Sequence, residues 1–260
     1  MSEQAVFVGA DGRFVATELA RGPWDPAAQH GGAPAALLMR AFEQLPVPDG
    51  QVMGRVTYEL LRPVPLAALS AEAQVIRAGK RVQLLEGSLS TADGVPLVRA
   101  RALRVQRADE SSVQADWPAP PPGPEHGGEP DFKPRARPSF APDAVEIRFI
   151  SGAFDERGPS IAWFRLRAPI VAGEQPSPLQ SLAAAGDFGN GISAVLSWEE
   201  YVFINPDLTL YIDRPPIGEW ICLQSQTWIP ATGIGISESV LYGVRGRVGR
   251  ATQSLVIARR

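Results

Sequence analysis

RGPWDPAAQHGGAPAALLMRAFEQL, residues 21–45, is the stretch that decides the fold. Its first part is rich in turn-forming residues and ends in His30, Gly31 and Gly32. Its second part predicts a helix with one buried face, because apolar residues recur at i, i+3, i+4 and i+7 and Pro34 is tolerated in a first turn. The two glycines would let a carboxylate or a developing oxyanion approach the free N–H groups of the helix start. The alternative is a simple glycine turn that leads into a core helix.

An internal repeat indicates how the rest of the chain is organised. A shift of 152 residues aligns the strand regions without a gap, so that Thr57 falls on Thr209 and Gly94 on Gly246. Each copy has one amphipathic helix, the second of which begins near Pro178, followed by several antiparallel strands. We therefore expect an α+β fold of two helix-plus-sheet units whose sheets pair edge to edge.

A proline-rich segment separates the two copies. Nine prolines fall between Pro118 and Pro142, and aliphatic side chains are almost absent there. Such a segment predicts a semi-extended surface linker that contributes nothing to a core. The predicted domains are an N-terminal unit at 1–107, the linker at 108–142 and a C-terminal unit at 143–260.

Composition restricts the possible functions. The chain has 260 residues, 45% of them hydrophobic and 20% charged, which is typical of a soluble globular protein. Its formal net charge of −3 gives no reason to expect a nucleic-acid or membrane partner. A single cysteine and a start without signal-peptide features predict a cytoplasmic protein. The sequence has neither metal-ligand spacing nor a GxSxG elbow, so we expect no metal and no covalent serine chemistry.

Several motifs give a resemblance to a known family. The chain resembles acyl-CoA thioesterases of the type II, double-hotdog kind, through RGPWDPAAQHGGAPAALL, YELLRPVPL, LYIDRPPIGEW, AAAGDF and ATQSL. In a hotdog unit a curved antiparallel sheet wraps a central helix. The resemblance implies hydrolysis of acyl-CoA or another acyl thioester without a cofactor, and we further expect a homo-oligomer.

The resemblance also implies a catalytic set made of an acid, a threonine and a glutamine. Asp187 of AAAGDF matches the acid, and Gln253 of ATQSL matches the glutamine. The threonine position falls on Asn205, whose amide can still orient a water molecule. In the aligned first copy Gln253 corresponds to Arg101, and Asp187 has no clear twin. This asymmetry predicts one working site and one degenerate site.

Two interpretations of each candidate stay open at this point. Asp187 is either a general base or a solvated turn residue, while Asn205 and Gln253 would hold the attacking water. Gly31 and Gly32 would bind the thioester carbonyl through their N–H groups, so that Gly32→Val should lower kcat with little change in thermal stability. His30 fits a helix anchor at this substrate-binding site. Together with an acid it also fits a hotdog hydratase or dehydratase, and a non-catalytic acyl-CoA or lipid carrier is the third alternative.

Overall fold

The computed structural model describes residues 4–108, 119–134 and 136–260. Residues 109–118 and 135 of the predicted linker lie outside the described residues, as do residues 1–3 of the predicted N-terminal unit. The first part of the chain contains β1 (Phe7–Ala10), β2 (Arg13–Ala16), α1 (Gly32–Glu43), β3 (Gln51–Leu60), β4 (Ala68–Arg77), β5 (Val82–Thr91) and β6 (Pro96–Gln106). The second part contains β7 (Val145–Ser151), β8 (Ser160–Leu166), α2 (Pro178–Gly186), α3 (Gly189–Ile192), β9 (Tyr201–Ile204), β10 (Asp207–Ile212), β11 (Ile221–Trp228), β12 (Ile234–Gly243) and β13 (Gly246–Arg259).

The strands of the described residues form one antiparallel sheet whose order is symmetric about its centre. The order is β1-β2-β4-β5-β6-β3-β10-β13-β12-β11-β8-β7, and β9 pairs with β13 outside this path. At the centre Thr57 of β3 lies opposite Thr209 of β10, and their hydroxyl oxygens are 3.2 Å apart. A residue and its repeat partner thus face each other across a local twofold axis. The predicted edge-to-edge pairing is confirmed, and the fold is a double hotdog.

The ungapped alignment is wrong at the last strand of each copy. Arg101 lies opposite Thr57, whereas Thr252 lies opposite Thr209, so β6 and β13 correspond with a shift one residue smaller than the other strands. The cause is the hairpin before β13, which has two residues between its last paired positions where the earlier hairpin has three. Gln253 therefore corresponds to the buried Ala102 and not to Arg101.

The two long helices pack side by side in opposite directions. α1 buries Leu38, Met39 and Phe42 completely, as its periodicity predicts. α2 begins after Ser177, whose side chain accepts the backbone N–H of Gln180 as an N-cap. At that end the Ser177 hydroxyl also donates to the Glu43 carboxylate at the end of α1. The start of each helix therefore lies beside the end of the other, which brings residues of the two copies together.

A buried arginine closes the C-terminal end of α1. Arg104 of β6 is 2% exposed, and its guanidinium donates to the carbonyl oxygens of Phe42 at 2.6 Å, Leu45 at 3.2 Å and Pro46 at 2.7 Å. The last carbonyls of a helix lack partners within it, and a cation there also matches the helix dipole. Burial lowers the pKa of Arg104, and the charge of Glu43 opposes that shift.

The C-terminal part of the predicted linker packs against the second copy. The indole N–H of Trp163 donates to the Pro122 carbonyl at 2.7 Å, and Gly128 forms a bridge with Phe149. Phe140 is fully buried, so the expectation that this segment adds nothing to the core is wrong at that residue. A large aromatic side chain offsets the cost of ordering a proline-rich backbone. The division into two units and a linker stays a prediction.

Candidate active site

Asp187 is a buried carboxylate at the C-terminal end of α2. It is the C-cap residue of that helix, and its side chain is only 6% exposed. Its Oδ1 accepts hydrogen bonds from Asn205 Nδ2 at 2.9 Å and from Gln253 Nε2 at 3.2 Å. The three residues of the implied catalytic set therefore meet at one oxygen atom, although they come from three separate elements.

The two amides hold the carboxylate in place. Asn205, between β9 and β10, also donates through Nδ2 to the Asp207 carbonyl at 3.1 Å. Gln253 projects inward from β13; its Nε2 also reaches the Asp187 carbonyl at 3.3 Å, and its Oε1 accepts the Asn190 N–H at 3.1 Å. An amide NH₂ group has two hydrogens. In Asn205 and in Gln253, both hydrogens are donated to the Asp187 carboxylate and to a backbone carbonyl. Within the described residues, no group donates to the remaining polar atom of the Asn205 amide, its Oδ1.

His30 joins the start of α1 to this carboxylate. Its Nδ1 lies 3.1 Å from Asp187 Oδ2 and accepts the Gly32 N–H at 3.1 Å. The second contact fits the helix-anchor interpretation of His30, because the side chain takes up one free donor of the helix end. Its ring packs against Phe140 and Phe188, with centroid distances of 5.0 and 4.4 Å, and those two rings also contact each other at 6.0 Å.

The two adjacent glycines face different neighbours. A Cβ on Gly31 would lie 2.7 Å from Asp187 Oδ2, so the missing side chain leaves room for the carboxylate. A Cβ on Gly32 would lie 2.4 Å from the Ala184 carbonyl oxygen, which is backbone of α2. The expectation that Gly32→Val leaves stability unchanged is therefore wrong, because that side chain would force the two helices apart.

The first copy also has a carboxylate at the corresponding helix end, which the sequence comparison missed. Glu43 is the last residue of α1, and it accepts from the Ser177 hydroxyl at 2.7 Å and from Gln180 Nε2 at 2.9 Å at the start of α2. The buried Tyr58 lies near it; burial and the charge of Glu43 raise the pKa of Tyr58. Glu43 is thus the positional twin of Asp187, with a side chain that is one methylene longer and with different hydrogen-bond partners.

Sequence reasoning also missed a buried polar layer under α3. Its inward-facing residues on the strands of the second copy are Ser225, Thr227, Ser237, Ser239 and Gln253, all less than 9% exposed. The corresponding residues of the first copy are Ala73, Val75, Leu85, Gly87 and Ala102. Among the described residues, the Ser237 hydroxyl has no hydrogen-bond partner. The sequence did contain a signal for this layer. Hydroxyl residues occur at alternate positions of β11 and β12, and the aligned positions of the first copy are apolar.

Comparison with protein-family models identifies both parts of the chain. Residues 20–105 match the acyl-CoA thioesterase N-terminal domain, and residues 112–257 match the acyl-CoA thioesterase C-terminal domain. The chain belongs to the acyl-CoA thioesterase family. A comparison with curated proteins found no match.

Solved structures agree with the double-hotdog fold of this acyl-CoA thioesterase family member. A Thermobifida fusca YX protein provisionally named thioesterase II has 17% identity and a TM-score of 0.73, over 97% of this chain and 95% of that one. A hot dog fold protein of unknown function from Alicyclobacillus acidocaldarius has 18% identity and a TM-score of 0.73, over the same shares. The acyl-CoA thioesterase II of Mycobacterium marinum has 16% identity and a TM-score of 0.65, over 94% and 96%.

Two further properties of the thioesterase family member concern metals and membranes. Within the described ranges, no cluster of three or more His, Cys, Asp or Glu side chains is arranged to hold a metal ion. In the same part of the chain, no helix has the length and hydropathy needed to cross a bilayer.

Proposed function

We propose that this acyl-CoA thioesterase family member hydrolyses acyl-CoA or a related acyl thioester, with Asp187 as the general base. The observation that carries the proposal is the fixed carboxylate. Asn205 and Gln253 both hold its Oδ1, while its Oδ2 faces the start of α1. A base that is held before the substrate arrives needs little reorganisation during the reaction.

The attacking water would lie between Asp187 and Asn205. The carboxylate accepts one of its hydrogens and Asn205 Oδ1 accepts the other, which directs an oxygen lone pair at the thioester carbonyl carbon. The water proton passes to Asp187 as the C–O bond forms, and the C–S bond then breaks. The leaving thiolate takes that proton back from Asp187, which restores the base, and the products are a carboxylic acid and a free thiol. Asn205 thereby serves in the position where the family has threonine.

The start of α1, with its free N–H groups and the positive end of the helix dipole, would bind the carbonyl oxygen. The N–H groups of Gly31 and Gly32 belong to the first copy, and the general base belongs to the second. One N–H donor to the developing oxyanion typically contributes about 3 kcal/mol to transition-state stabilisation. Each substrate would therefore be handled by residues from both copies.

The close approach of His30 to Asp187, 3.1 Å, keeps a hydratase or dehydratase as the second candidate. A panel of saturated, 2-enoyl and 3-hydroxyacyl-CoA esters of varied length separates the possibilities. Release of free thiol from saturated esters supports hydrolysis, whereas a change in enoyl absorbance without thiol release supports hydration. Binding by calorimetry without either reaction would favour the acyl-CoA or lipid carrier. A homo-oligomer and a cytoplasmic location stay predictions, and sizing by light scattering tests the first.

A further inference from the structure

One atom of His30 has two partners that make opposite demands on it. The Gly32 N–H donates to Nδ1 at 3.1 Å, which requires a lone pair on that nitrogen. Asp187 Oδ2 lies 3.1 Å from the same nitrogen, and an ionised carboxylate there requires a proton on it. An imidazole nitrogen holds either a lone pair or a proton in its ring plane. The two contacts therefore belong to two protonation states of the His30–Asp187 pair.

The surroundings of His30 fix the position of its ring, so that only the protonation of Nδ1 changes. Phe140 and Phe188 lie against the ring, and the backbone N–H of His30 donates to the Ala20 carbonyl at 2.9 Å. The side chain is 11% exposed. From the segment before β7 the ring meets Phe140, and at the end of α2 it meets Phe188 and the titratable group Asp187.

We propose that His30 is a positioning residue whose Nδ1 releases the Gly32 N–H to a thioester carbonyl when it donates a proton to the ionised Asp187. When Asp187 is ionised, Nδ1 carries a proton and donates it to Oδ2, so the buried Gly32 N–H loses its acceptor. A buried N–H without an acceptor is unfavourable, and the substrate carbonyl oxygen supplies one. The state in which Asp187 can accept a proton from water is thus the state in which the oxyanion donor is free. This inference rests on the proposed hydrolysis for the identity of the carbonyl.

The protonation of Nδ1 can be measured without any substrate. The chain has two histidines, and the other, His126, has a side chain that is 66% exposed. Nitrogen-15 NMR of full-length protein labelled at histidine, with His126→Gln to assign the signals, reports the state of each ring nitrogen. In wild type at the pH of activity we expect a protonated His30 Nδ1.

The Asp187→Asn variant should reverse that state. Because Oδ1 of Asp187 is held by two amide donors, the new amide would point its NH₂ group at His30, and Nδ1 should become a bare acceptor. The same Nδ1 state in wild type and in Asp187→Asn would overturn the proposal. This readout is independent of turnover, so a wild type that hydrolyses no thioester would remove the proposed function without deciding the NMR result.

A second variant tests whether His30 releases the Gly32 N–H or only anchors it. In His30→Asn the side-chain oxygen can hold the Gly32 N–H permanently, since an Asn side chain readily accepts the backbone N–H two residues on. The melting temperature should stay close to that of wild type, while kcat falls roughly 10²-fold or more with little change in KM, as for loss of one oxyanion donor. Wild-type kcat in a folded His30→Asn protein would overturn the proposal and leave His30 as an anchor.

Discussion

Alanine at two neighbouring positions, Gly31 and Gly32, should damage two different properties of the protein. Gly31 has φ −59° and ψ −23°, a conformation that alanine adopts without strain. Its new Cβ would lie 2.7 Å from Oδ2, 2.9 Å from Oδ1 and 3.0 Å from Cγ of Asp187. At Gly32 the new Cβ would lie 2.4 Å from the Ala184 carbonyl oxygen. The first clash is with a side-chain end, and the second is with the backbone of a packed helix.

The size of each effect follows from what can move. In Gly31→Ala the carboxylate must shift by roughly 0.5–1 Å, away from its amide donors, and a misplacement of this order costs about 10²-fold in rate. In Gly32→Ala the helices must separate by about 1 Å, which costs about 1–3 kcal/mol of overpacking. Better helix propensity returns up to about 1 kcal/mol. The net loss of about 1–2 kcal/mol lowers the melting temperature by roughly 2–8 °C in a chain of this size.

Two measurements on both variants test this reasoning. Thiol release from acyl-CoA gives kcat/KM, and scanning calorimetry gives the melting temperature. Gly31→Ala should lose activity at nearly wild-type melting temperature, and Gly32→Ala should melt earlier. Wild-type turnover in Gly31→Ala would refute the placement of the Asp187 carboxylate against the start of α1. An unchanged melting temperature in Gly32→Ala would refute the close packing of α1 on α2.

Three further predictions each concern a single side chain, and two of them include a comparison variant. Asp187→Asn should keep the fold and lower kcat/KM at least about 10²-fold, as loss of a general base does, and wild-type turnover would rule out that role. Arg104→Met should reduce the free energy of unfolding in urea by at least about 2 kcal/mol, because it leaves buried carbonyls at the end of α1 without donors. The control is Arg101→Met, because the side chain of Arg101 is 64% exposed, and its free energy of unfolding should stay within about 0.5 kcal/mol of wild type. Ser237→Ala should be neutral or stabilising, whereas Ser225→Ala breaks the 2.7 Å contact with its neighbouring hydroxyl and should cost about 1 kcal/mol; a larger loss for Ser237→Ala would reveal a partner for its hydroxyl.

Periodicity and repetition predicted most of the fold. The apolar spacing of α1 and the N-cap Ser177 of α2 depend on local chemistry, which the sequence displays directly. The edge-to-edge pairing of the two sheets followed from the repeat, because two equal units remove two exposed edges by joining them, whereas the choice of β3 and β10 as those edges did not. The one-residue difference between the hairpins before β6 and β13 was hidden, since a shift of 152 still matched Gly94 with Gly246.

The site was predictable as a set of residues and not as a set of bonds. Motifs named Asp187, Asn205 and Gln253, which the structure brings together at one carboxylate oxygen. The bond from Gln253 to the Asp187 carbonyl joins residues 66 apart in sequence, and the bond from Asn205 to the Asp187 carboxylate joins residues 18 apart, so neither leaves a local pattern. Phe140 was missed for a related reason, because a single buried ring in a proline-rich segment leaves no periodic pattern.

The asymmetry between the copies supports the prediction that each chain has a single working site. At the end of α1, Glu43 has the place that Asp187 has at the end of α2, but its carboxylate is already bonded to Ser177 and Gln180. Ala102 stands where Gln253 does, so that strand position offers Glu43 no amide. The second copy carries the cost of burying polar side chains under α3, and the first copy has apolar ones there. A protein keeps such a cost where function needs it, so we expect the chemistry at the end of the helix pair where the polar layer lies.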